Sequence, residues 1–222
     1  MSLTLYYNPI SQPARSVVAF LNLTGVKFES KLTYPARGDT KTVEYTKLNP
    51  LQQIPIMTEG DFVLRESEAI IKYVMDTRKV GDEYYPKEPK TRAMINRYMV
   101  FHHETFRPKL SYAFTHCLFP QFFPGDQKEI ANGVEEALTM LLKHFLGEKR
   151  YIVGDSLTIA DIFAINELIT VSETTGFNFD KFPVVQEYMK RCLENQCLSE
   201  ANEPLRVLSK TRKNAGCLAG PF

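Results

Sequence analysis

The stretch that decides the fold is Asn49–Val74, NPLQQIPIMTEGDFVLRESEAIIKYV. Two short apolar runs, 54–57 and 61–64, flank Glu59-Gly60, and this pairing predicts a tight hairpin. Pro55 lies inside the first run. A proline cannot donate to a strand ladder, so its position calls for a bulge, an edge or a cis peptide bond. Glu66-Ser67-Glu68 then opens an amphipathic helix carrying Ile70, Ile71, Tyr73 and Val74. Upstream, Asn49-Pro50 ends whatever helix precedes it.

Working outward, residues 3–7 read as a strand, broken by Asn8-Pro9. A helix follows from Gln12-Pro13, with Val17, Val18, Phe20, Leu21 and Leu23 apolar and Gly25 closing it. Residues 27–33 alternate as a second strand, and a short helix is expected over 41–47. The order is β-α-β and then β-β-α, which matches a thioredoxin-like fold. Beyond it, 79–88 is polar and proline-containing and reads as a linker. From there the periodic segments are helical, over about 90–117, 127–146, 159–175, 184–195 and 200–210. The expected fold class is therefore α+β/α: a thioredoxin-like domain over 1–78, the linker, and an all-α helical bundle over 89–222. Residues 212–222 read as a loose tail.

Composition narrows the function classes. The chain has 222 residues, 44% hydrophobic and 24% charged, enough for packed cores. Lys plus Arg is 27 against Asp plus Glu at 26, so the basic excess of a nucleic-acid binder is missing. No apolar run is long enough for a membrane span, and the first residues carry no leader pattern. Cys117, Cys192, Cys197 and Cys217 form no C-x-x-C pair, and the reading is free thiols in a reducing cytoplasm. His102, His103, His116 and His144 form no metal motif, so no metal is expected. Thr158-Ile159-Ala160-Asp161 reads as a helix capping box with a structural role, worth about 1 kcal/mol or more. Phe114, Leu118, Phe119, Phe122 and Phe123 are read mostly as core.

Four motifs in order resemble the glutathione S-transferase family, most closely its theta class. They are Ser11-Gln12-Pro13-Ala14-Arg15, Asn49–Pro55, Glu66-Ser67-Glu68-Ala69-Ile70 and Ser156–Asp161. The resemblance spans about 3–205. It implies a homodimer in which reduced glutathione lies on the first domain and a hydrophobic electrophile against helices of the second. Glutathione is then a co-substrate, and no other cofactor is needed.

By this resemblance Ser11 is the catalytic residue. A thiol of pKa near 8.5 is mostly protonated at neutral pH, and a hydroxyl donor at a helix N-terminus favours the anion. The rival role for Ser11 is simply to cap the helix. Tyr7, at the end of the first strand, is the rival donor, as in other classes. Ile54 and Pro55 offer backbone groups to the cysteinyl part of glutathione. Glu66 and Ser67 suit its γ-glutamyl end. Thr40 and Gln53 stand where relatives often carry histidine and lysine, so the glycyl carboxylate meets neutral groups. Arg107 and Tyr7 are assigned to the electrophile side and Glu104 to glutathione across a dimer. Peroxidase action on organic hydroperoxides is a further expectation. The alternative is a weakly catalytic protein on the same fold that binds glutathione or hydrophobic ligands.

Overall fold

A computed structural model describes residues 2–211 and 217–218. The chain divides into two compact units, Met1–Gly81 and Asp82–Phe222.

In the first unit the strands are β1 (Leu3–Tyr7), β2 (Phe28–Leu32), β3 (Ile56–Glu59) and β4 (Phe62–Arg65). The helices are α1 (Gln12–Leu23), α2 (Val43–Leu48) and α3 (Ser67–Thr77), with two 3-10 turns at Pro35–Arg37 and Asp39–Lys41. The sheet order is β2-β1-β3-β4, with β1 parallel to β2 and antiparallel to β3. Alternation puts Leu3 and Leu5 on the buried face, where they join Val17, Phe20 and Leu21 of α1 and Ile70, Ile71 and Val74 of α3 in the core. The Ile54–Pro55 bond is cis, and β3 starts one residue after it. The hairpin turns at Gly60-Asp61, one residue later than expected, with Glu59 paired to Phe62 and Gly60 at φ +60°.

The second unit is helical. The expected long helix is two helices, α4 (Pro89–Phe101) and α5 (Arg107–Leu118), joined through a π turn at His102–Phe106. Pro108 explains the wider turn: it has no N–H to return to Glu104 in an α-helix. Then come α6 (Gln127–Leu141), a second π turn to Leu146, α7 (Ile159–Thr174), α8 (Pro183–Leu193) and α9 (Gln196–Thr211). The last helix starts four residues early, because the Asn195 side chain caps the Cys197 and Leu198 amides at 3.0 and 3.3 Å. Buried on nearly every face, α7 is the centre of this unit. None of the helices among the described residues is long and apolar enough to cross a membrane.

Three expectations change here. Cys117 and Cys217 are not free: they form a disulfide with Cα atoms 5.6 Å apart, leaving Cys192 and Cys197 as thiols. The tail reading fails at its described part, since Leu218 is buried and its N–H bonds the Thr175 carbonyl at 2.8 Å; 212–216 and 219–222 lie outside the described residues. Phe122 and Phe123 are exposed rather than core, in a loop bracketed by Pro120 and Pro124. That loop is held through its backbone instead, with the Tyr112 hydroxyl donating to the Pro124 carbonyl at 2.6 Å.

Candidate active site

The register of the first unit gathers the candidate segments at one end of its sheet. Tyr6 pairs with Ile56, and Ile56 with Arg65. The loop leaving β1 toward Ser11, the Ile54–Pro55 step entering β3 and the Glu66-Ser67 step leaving β4 therefore share that end. The loop after β2 joins them, since Leu32 pairs with Tyr7. Ligands of sheets flanked by helices commonly sit at such an end.

Ser11 is half-buried at the N-cap of α1, in extended conformation at φ −73° and ψ 122°. Its backbone behaves as a cap should, accepting the Arg15 N–H at 2.9 Å. Its hydroxyl makes no capping bond. The loop before it is tied by Arg15, which is 1% exposed and whose Nη1 donates to the Ile10 carbonyl at 2.6 Å. Asn8 adds an Asx turn, its Oδ1 accepting from the Ile10 N–H at 2.9 Å. In the sequence Arg15 is only a member of the Ser11–Arg15 motif, with no task of its own. Charge without a carboxylate nearby in sequence was the signal available.

Tyr7 spends its hydroxyl differently. It accepts from Ser30 Oγ at 3.3 Å, and its ring stands edge-on to Phe28. Tyr6 turns to the other face, where Lys31 Nζ lies 3.3 Å from its hydroxyl and Tyr45 packs edge-on.

Among the described residues, only Gln52 and Glu66 are non-glycines with positive φ, at 55° and 69°. Such backbone persists only where the surroundings enforce it, and it clusters at ligand sites. Gln52 lies two residues before Ile54, and Glu66 directly precedes Ser67. Glu66 is exposed, while Ser67 is buried in the first turn of α3. The Gln53 side chain is exposed, whereas Thr40 is buried. Near Thr40, Arg37 stacks on the Tyr34 ring at 4.2 Å, and Lys41 is exposed. A separate cleft of about 440 Å³, lined by Tyr6, Lys31, Asp39 and Tyr45 among others, includes none of the candidate site residues except as neighbours.

In the second unit, Arg107 does not pair with Glu104, its neighbour three residues back. Its guanidinium bonds the buried carboxylate of Glu167 on α7, and Glu104 is exposed in the π turn. His102 lies 3.9 Å from the same carboxylate and is wholly buried, which pushes its pKa well down and keeps it neutral. The capping box is present, but Asp161 does more than cap. It accepts the Ile152 N–H at 2.8 Å, the Thr158 N–H at 2.9 Å and the Tyr188 hydroxyl at 2.9 Å. Burial raises its pKa to about 6 in spite of those bonds. Sequence reading missed Ile152 and Tyr188, whose contact with Asp161 no local pattern announces.

Two family models match the chain: glutathione S-transferase, N-terminal domain, over residues 1–76, and glutathione S-transferase, C-terminal domain, over residues 106–196. Human glutathione S-transferase theta-1 is 33% identical over 76% of this chain and 73% of its own length. Rat theta-2 is 30% identical over 96% of this chain and 91% of its own. Among solved structures, human glutathione transferase theta-2 in complex with glutathione and an unknown ligand superposes with a TM-score of 0.85 at 25% identity, over 95% of this chain and 90% of that one. Apo human glutathione S-transferase T1-1 superposes at 0.84 and 27% identity, over 94% and 91%.

Proposed function

This chain belongs to the glutathione S-transferase family and is theta-like, and from that premise we propose that it conjugates glutathione to electrophiles through a thiolate held by Ser11. The observation that carries this is the Ser11 hydroxyl, which stands at the N-terminus of α1 and is not used as a cap. It is left to donate to sulfur. Donation favours the anion, and the N-terminal end of α1 adds to it. The thiol proton leaves to solvent. The sulfur lone pair then forms a C–S bond as the leaving group departs with the C–X electron pair. Alignment of the two reactants supplies much of the rate.

Glutathione's cysteinyl part pairs with the Ile54 backbone like an added strand, with Pro55 beside it, and its γ-glutamyl end meets Ser67 and Glu66. Gln53 and Thr40 are the neutral neighbours of the glycyl carboxylate, with Lys41 the nearby cation. Arg107 at the electrophile and Glu104 at a partner's glutathione belong to the same reading, as do a cytoplasmic location and a homodimer. The exposed Phe62, tilted against the Tyr73 ring with centroids 4.9 Å apart, suits a contact between copies; light scattering on the eluted protein tests it. With organic hydroperoxides the thiolate would take the distal oxygen as the O–O bond breaks. A second glutathione then yields the disulfide and water.

A second reading is weak catalysis with ligand binding, favoured by burial of Thr40, which is 2% exposed. Turnover of wild type, Ser11→Ala and Tyr7→Phe against alkyl halides, aryl halides and hydroperoxides separates the cases. Loss of about 100-fold in kcat in Ser11→Ala, with Tyr7→Phe near normal, is expected. Loss confined to Tyr7→Phe moves the donor to the tyrosine. A folded wild type with no turnover and millimolar glutathione affinity favours the second reading.

A further inference from the structure

The turn that leads into the glutathione-binding step is held from below by α2. Tyr45, on α2, and Asn49, just after it, are 5% and 2% exposed. Both donate to one atom: the Tyr45 hydroxyl and Asn49 Nδ2 each lie 2.7 Å from the Gln53 carbonyl oxygen. That uses both lone pairs of the carbonyl. Asn49 also winds the turn itself. Its Oδ1 accepts the Leu51 N–H at 3.1 Å, and its carbonyl accepts the Gln52 N–H at 2.9 Å. Gln52 sits at the positive φ of 55° inside this turn.

The consequence follows from peptide planarity. The Gln53 carbonyl and the Ile54 N–H belong to one rigid plane and point in opposite directions. Two donors that fix the oxygen therefore also aim the N–H. We propose that Tyr45 and Asn49 are positioning residues for glutathione, acting through the Gln53–Ile54 peptide plane to point the Ile54 N–H at the substrate. This rests on the reading that glutathione pairs with the Ile54 backbone. Gln53 then contributes through its main chain as well as through its side chain.

The test uses Tyr45→Phe, which deletes one oxygen, and Asn49→Asp, which keeps the acceptor for Leu51 and removes the donor to Gln53. Thr42→Ala is the control. The Thr42 hydroxyl accepts the Tyr45 N–H at 3.2 Å as the cap of α2, so its loss loosens α2 without touching the Gln53 carbonyl. Glutathione Kd by calorimetry, both KM values, kcat and Tm are measured on the full chain. Tyr45→Phe should raise glutathione Kd and KM about fivefold and Asn49→Asp about tenfold, with kcat at saturating glutathione and the electrophile KM within about twofold. Thr42→Ala should lower Tm and leave glutathione KM within about twofold. Unchanged glutathione KM in Tyr45→Phe, or an equal rise in Thr42→Ala, overturns the proposal. A wild type that does not bind glutathione overturns the reading beneath it as well, whereas tight wild-type binding shared by the clamp variants overturns the clamp alone.

Discussion

The two units use buried polarity for opposite ends. In the second, polar side chains sunk into the core tie its segments together: Asp161 accepts from the Ile152 and Thr158 N–H groups and the Tyr188 hydroxyl, and Asn202 donates to Asn166 at 2.9 Å. In the first, the buried polar groups Arg15, Tyr45 and Asn49 reach backbone carbonyls of loops at the sheet end. One arrangement joins helices. The other shapes the turns that carry the proposed site residues. Polarity in the second unit should therefore read out as stability, and polarity in the first as kinetics.

The hardest test of that contrast is Asp161→Ala. It leaves the Ile152 N–H and the Tyr188 hydroxyl buried without their acceptor, and a loss of about 4 kcal/mol in urea unfolding is expected. Glutathione Kd of the molecules still folded should stay within about twofold. A large change in Kd would break the contrast. The same carboxyl makes stability depend on pH. In the folded chain its pKa is raised to about 6 from 3.8, chiefly by burial, so the native state holds the proton longer than the unfolded one. Its contribution is therefore fullest below pH 4 and declines as pH rises toward 6, by about 3 kcal/mol in all. Unfolding of wild type and Asp161→Asn across that range should show the slope in the first and its loss in the second.

These contacts also mark what the sequence could reveal. The strand and helix order of the first unit, the proline step and the helix starts at Ser11 and Ser67 are each written within a few residues. Alternation, breakers and caps are local physics. The Asp161 capping box was visible for the same reason. Its bond to Tyr188, 27 residues away, was not, because it depends on how α7 and α8 pack. The clamp on Gln53 escaped too, since a carbonyl has no signature in a side-chain alphabet. Pro108 is in plain view, yet helical periodicity runs through 90–117 unbroken and does not announce the π turn that the proline forces.

Next in size is the cross-link. All four cysteines belong to the second unit, and the Cys117–Cys217 bond closes a separation of 100 residues. Reduction, or Cys217→Ser, should cost about 3 kcal/mol, largely by freeing the unfolded chain. Glutathione KM under the two redox conditions should agree within about twofold. Peptide mapping without reductant checks the link itself, and failure to recover a 117–217 linked peptide would remove this difference between the units.

The smallest effect bears on the contrast most directly, because Arg15, at 1% exposed, is buried as deeply as Glu167 of the second unit. Its Nη1 reaches the Ile10 carbonyl at 2.6 Å and lies 3.4 Å from the Pro9 carbonyl, in the loop that delivers Ser11. If its work is to shape that loop, Arg15→Lys should lower kcat about tenfold, since the shorter lysine side chain does not bring its ammonium to the place Nη1 holds against the two carbonyls. The electrophile KM should hold, and the pH at which bound thiol ionises, followed by thiolate absorbance, should rise because the Ser11 hydroxyl is less well aimed. Glutathione Kd should change little, for the contacts proposed at Ile54 and Ser67 lie elsewhere on the sheet end. A variant that melts earlier but ionises its thiol at the wild-type pH would place Arg15 with the structural polar groups of the second unit, and the division between the two units would then follow burial rather than position.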